Sequence, residues 1–97
     1  MAKDVEFLRV KYKEGSLDPK TAGLIRFAVC LAVGYESGAR LRLKDALAGG
    51  ASADEVWETV NYAMRPGPAK VRDLAEKVIA ETGGALTTGR GAASTGS

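Results

Sequence analysis

The chain has 97 residues, which is one domain, and a domain this small buries only about 60% of the surface its unfolded chain exposes, so burial against a partner subunit is expected. Apolar residues make up 45% and charged residues 27%, the balance of a folded globular chain rather than a disordered or membrane one. Fourteen basic residues against twelve acidic ones leave a net charge of +2, too small and too evenly spread to point to nucleic acid.

The first segment has two readings. Val5, Leu8 and Tyr12 suit a helix, whereas Leu8, Val10 and Tyr12 alternating with Arg9, Lys11 and Lys13 suit a strand, and periodicity alone does not choose. Its opening residues lack the basic-then-apolar plan of a signal peptide, so a cytoplasmic location is expected. Asp18 is a good N-cap and Pro19 suits a first helical position, which predicts a helix from there to about Val33, ended by Gly34. The apolar run Leu24 to Val33 inside it is too short to span a bilayer and contains Arg26.

From about Ser37 to Ala48, Ala39, Leu43, Ala46 and Leu47 form one stripe, and Gly49-Gly50 is a natural stop. Ser52 with Glu55 makes a capping-box pattern, after which Val56, Trp57, Val60, Ala63 and Met64 share a face. Arg65-Pro66-Gly67-Pro68 forces a turn. Val71, Leu74, Ala75 and Val78 form the next stripe, with Arg72/Glu76 and Asp73/Lys77 spaced to pair across single turns. Beyond Gly83 the chain is almost wholly Gly, Ala, Ser and Thr, which sets the boundary of a folded domain at 1–82 and predicts a disordered tail at 83–97.

The sequence from Leu17-Asp18-Pro19-Lys20-Thr21 through Gly34-Tyr35-Glu36-Ser37-Gly38 and Gly49-Gly50 to Ser52-Ala53-Asp54-Glu55 resembles the carboxymuconolactone decarboxylase and alkylhydroperoxidase D-like family, over about two thirds of the chain. The resemblance implies an all-α, compact bundle of about five helices, with a helix in the first segment, assembled as a trimer or hexamer. It also implies a glutamate, a Cys-x-x-Cys pair and a histidine at positions held here by Gly23, Tyr35, Gly38 and Arg42. All four are replaced, and no cofactor is implied.

These losses remove the chemistry. A thiol peroxidase needs a reactive thiolate and a resolving cysteine, which Tyr35 and Gly38 do not supply. Histidine accepts a proton near neutrality, whereas the guanidinium of Arg42 serves only as a donor. A lone cysteine, Cys30, and the absence of histidine exclude an internal disulfide and the usual zinc sites, so no metal is expected.

Cys30 lies two turns from Gly23 among apolar neighbours, which favours a structural role over a redox one. Arg42 sits at the edge of the apolar stripe, on the same side as Tyr35. It suits an ion pair with a carboxylate such as Glu36, or an anion clamp with the Tyr35 hydroxyl as a second donor. Arg40 and Lys44 belong to a solvated face. Leu41 and Tyr62 fall on the outward faces of their helices, which suggests subunit contacts.

The candidate pocket is therefore Tyr35, Arg42 and Cys30, and two functions follow. One is a family member that binds or converts a small anionic or oxygenated metabolite. The other is a catalytically silent oligomeric structural or interaction subunit. A helix-turn-helix reading fails because its recognition helix would open with Asp54, Glu55 and Glu58, whose charges repel phosphate. Neither nucleic acid nor membrane is an expected partner.

Overall fold

The computed structural model describes residues 2–83; of the tail expected at 83–97, residues 84–97 lie outside them. Four helices follow a two-stranded antiparallel hairpin: β1 Lys3–Phe7, β2 Val10–Glu14, α1 Pro19–Val33, α2 Glu36–Ala48, α3 Ala53–Met64 and α4 Pro68–Ala80. Among the described residues the fold is mostly helical, but the first segment forms the hairpin rather than the helix that the resemblance implied, and four helices stand where about five were expected.

The alternation of Val10 and Tyr12 with charged residues wins that segment, as the strand period requires. Pairing sets Val5 opposite Tyr12 and Phe7 opposite Val10 on one face, and Asp4 opposite Lys13 and Glu6 opposite Lys11 on the other. Leu8 and Arg9 form the two-residue turn in the left-handed region, at φ 50° and 69°. Such turns favour Asn-Gly, and side chains with a Cβ are strained there.

The helices begin and end as their caps dictate. The Asp18 carboxylate accepts the Thr21 amide at 2.7 Å, and this bond holds its acidity stronger than that of a free aspartate. Ser52 and Glu55 complete a reciprocal capping box on α3. Pro68 occupies the first turn of α4, where its missing N–H costs nothing.

Helix α1 packs against each of the other three helices. Phe27 and Leu31 from α1, Leu43 from α2, Val56 and Val60 from α3, and Val71, Val78 and Ile79 from α4 form one core. Trp57 is half-buried at its margin rather than at its centre. Among the described residues no helix is long and apolar enough to cross a membrane.

An ion-pair network ties α2 to α4. Arg40, expected on a solvated face, is half-buried and bonds Glu36 at 2.6 Å and Glu81 at 2.5 Å, while Lys77 reaches Glu36 at 3.1 Å. Lys77 thus pairs across helices rather than with Asp73, which bonds Arg72 instead. Arg40 first, and then Lys77, holds the Glu36 carboxyl below the usual glutamate range; Arg40 does the same for Glu81. Depressed folded values stabilise above the unfolded pKa and lose that contribution as pH falls through the folded one. Thermal stability measured from neutral pH into acid is therefore expected to decline below the ordinary glutamate range. Glu36→Gln should flatten part of that decline, by a modest amount because the pairs are partly solvated.

Candidate functional site

Two residues join α1 to α2. Gly34 closes α1 in the left-handed conformation (φ 77°), and the Tyr35 amide returns to the Cys30 carbonyl at 2.9 Å. This reversal sets the two helices side by side along a seam of glycines. A Cβ on Gly23 would lie 2.8 Å from the backbone of Ala46, and one on Gly49 would lie 2.8 Å from the backbone of Lys20. At the other end of the seam, a Cβ on Gly38 would meet the Tyr35 ring at 2.5 Å and the Cys30 sulfur at 2.9 Å.

Those approaches show what surrounds the positions that the resemblance singled out. The place where the resemblance puts a glutamate is closed by the α2 backbone, so no side chain fits at Gly23 while the helices keep this spacing. The place of the second cysteine is covered by the Tyr35 ring. Tyr35 and Gly38 thus act as a pair, the large residue filling what the small one leaves.

Tyr35, Cys30, Gly38 and Arg42 converge on an open cavity of about 420 Å³. Arg26, Val29, Ser37 and Leu41 complete its walls. Gly23 lies in an adjoining hollow that shares Arg26 and is bordered by Asp45. Cys30 is half-buried on the cavity floor, and Tyr35 is 59% exposed at its mouth. The Arg42 side chain is only 22% exposed and bonds Asp45 at 2.6 Å, one turn along α2. Glu36, the partner expected for Arg42, is instead engaged by Arg40 and Lys77.

The cavity lining holds two guanidiniums, a phenol, a hydroxyl and a thiol over apolar Val29 and Leu41, with no carboxylate among them. The first turn of α2 opens onto it through Ser37 and Gly38. No side chain caps that turn, in contrast to α1 and α3, and Glu36 is the acid in it. Arg26 and Ser37 were missed in the sequence. The signal for Arg26 was its position as the sole charge in the Leu24–Val33 run, one turn before Cys30.

No family model matches the chain, and neither does any curated protein or solved structure.

Proposed function

We propose that the chain is a carboxymuconolactone decarboxylase-like homo-oligomer that binds a small carboxylate or similarly anionic, oxygenated metabolite in the cavity between α1 and α2. The observation that carries this reading is the convergence of Arg26 and Arg42 on a lining without acid. A carboxylate there would receive charge-assisted bonds from the guanidiniums, while Val29 and Leu41 hold the apolar part of the molecule. Arg42 orients and neutralises the ligand and takes no proton from it. Thiol-peroxidase turnover is not part of the proposal, because no resolving cysteine accompanies Cys30.

Asp45 is the internal competitor of such a ligand, since it holds Arg42 in the free protein. Ligand affinity should therefore rise several-fold in Asp45→Asn and fall at least as much in Arg42→Ala. Thermal shift against a panel of small carboxylates, lactones and phosphates measures both, because a ligand bound only to the folded state raises Tm by mass action. A panel that leaves the Tm of the wild type and of Asp45→Asn unmoved would reject the binding reading. The Arg42–Asp45 pair would then be structural, which is the reading of the chain as a silent interaction subunit.

A further inference from the structure

The hairpin stands apart from the helices, and both of its edges are open. Neither strand packs against a helix among the described residues, and a sheet of two strands leaves the outer backbone groups of each without a ladder partner. One face carries Val5, Phe7, Val10 and Tyr12, with Phe7 65%, Val10 62% and Tyr12 45% exposed. A hairpin alone is marginal in water, and this one also carries left-handed Leu8 and Arg9 at its turn.

The opposite face sorts its charges by strand. Asp4 and Glu6 lie on β1, Lys11 and Lys13 lie on β2, and each acid stands directly opposite a lysine. Lys13 bonds Asp4 at 2.6 Å. At the open end, on the apolar side, Lys3 stands opposite Glu14. On its polar face the hairpin therefore has an acidic edge, β1, and a basic edge, β2.

Charge on an edge strand ordinarily prevents pairing between copies, because like meets like. Here that holds for like edges alone. Two β1 strands set antiparallel about Val5 place Asp4 beside Glu6, and two β2 strands about Tyr12 place Lys11 beside Lys13. The β2 edge of one copy against the β1 edge of another, in the register the hairpin itself uses, places Lys11 beside Glu6, Lys13 beside Asp4 and Glu14 beside Lys3. Every charged strand position then meets its opposite.

We propose that the β2 edge of one copy of the chain pairs with the β1 edge of the next and joins the copies into a closed ring of hairpins. This rests on the reading of the chain as a homo-oligomer and names the surfaces that join its copies. The junction is heterologous, so the assembly closes by rotation. Rotation about one axis runs every β1 one way and every β2 the other, and the strands alternate as in an up-and-down barrel. Val5, Phe7, Val10 and Tyr12 of all copies share one side of that sheet, which closure turns inward, while each lysine lies between an acid of its own copy and one of its neighbour. The ring is small, because side chains fill the interior of a barrel only up to about eight strands. The open edges and the bare apolar face are thus satisfied by one assembly.

A four-site reversal in the full chain, Asp4→Lys, Glu6→Lys, Lys11→Glu and Lys13→Glu, tests the junction, because it keeps opposite charges facing each other inside the hairpin while exchanging the signs of its edges. Wild type and reversal, each first shown by circular dichroism to keep its helices, should each sediment alone as an oligomer larger than a dimer. Isotopically labelled wild type and unlabelled reversal, unfolded together in urea and refolded as a mixture, should sort into separate oligomers in native mass spectrometry. At each mixed junction the lysines or acids of a β2 edge would meet a β1 edge of their own sign, so mixed species should fall several-fold below their statistical share. In parallel, Phe7→Asp should sediment as a folded monomer.

Statistical mixing would take the edges out of the interface. A dimeric wild type, or mixed oligomers in excess, would mean that like edges meet. A reversal that keeps its helices but stays monomeric would mean that the native charges face some other surface, and an assembled Phe7→Asp would leave the apolar face outside the ring. Each of these overturns the junction and leaves the homo-oligomer standing, whereas a monomeric wild type removes both. The ligand-induced Tm shift reads the cavity separately, so failure of the interface and failure of the binding site are distinguishable.

Discussion

Gly23→Val is expected to lose about 3 kcal/mol or more of folding stability, seen as a lower urea midpoint by circular dichroism. On propensity alone the substitution should help, since glycine in a helix interior costs up to about 1 kcal/mol relative to better helix formers. Packing reverses the sign. The new Cβ would lie 2.8 Å from the α2 backbone at Ala46, which has no rotamer with which to yield, so the helices must separate. Separation would also shift Gly49 off the start of α1 and open the cavity at the other end of the seam. Ala32→Val, on the exposed side of the same helix, adds similar bulk without that contact and should change monomer stability by about 0.5 kcal/mol at most. Equal stability of Gly23→Val and wild type would mean that the seam is not the close contact described. Gly23→Glu, which restores the residue implied by the resemblance, is expected to fail in the same way.

Much of the helical fold was legible because its signals are local. Asp18-Pro19, Gly49-Gly50, Ser52 with Glu55 and the proline-glycine turn each act within a few residues, and each marks an observed boundary. The hairpin was not settled because its turn is Leu8-Arg9, which carries none of the Asn-Gly chemistry that would have announced it. The strand alternation was visible, but the family resemblance favoured a helix. The cavity was legible in part, since helical spacing brought Tyr35 and Arg42 to one side and placed Cys30 nearby. Arg26 joins the cavity only through the approach of α1 to α2, a distance set by glycines whose role emerges only in three dimensions, whereas the Asp45 partner of Arg42 lies three residues along the same helix and its spacing was visible in the sequence.

Phe27→Ala is the second large effect, an expected loss of about 3–5 kcal/mol from removing a fully buried aromatic. A small domain has about 5–10 kcal/mol in total, so this one change approaches the limit of folding. Phe27 stands in the core with Leu31, Val56, Val60 and Ile79, and a cavity there is bounded by three other helices that do not all collapse into it. Val29 lies on the same helix but on the side away from Phe27, and it is 57% exposed. Val29→Ala should therefore be nearly neutral for an isolated chain and costly only where a second copy covers it. Urea unfolding at several protein concentrations separates the two cases. The Phe27→Ala deficit is expected at every concentration, whereas any Val29→Ala deficit should follow assembly, because stability drawn from a partner follows mass action. A Val29→Ala deficit independent of concentration would place that side of α1 inside a single chain, where its exposure does not put it.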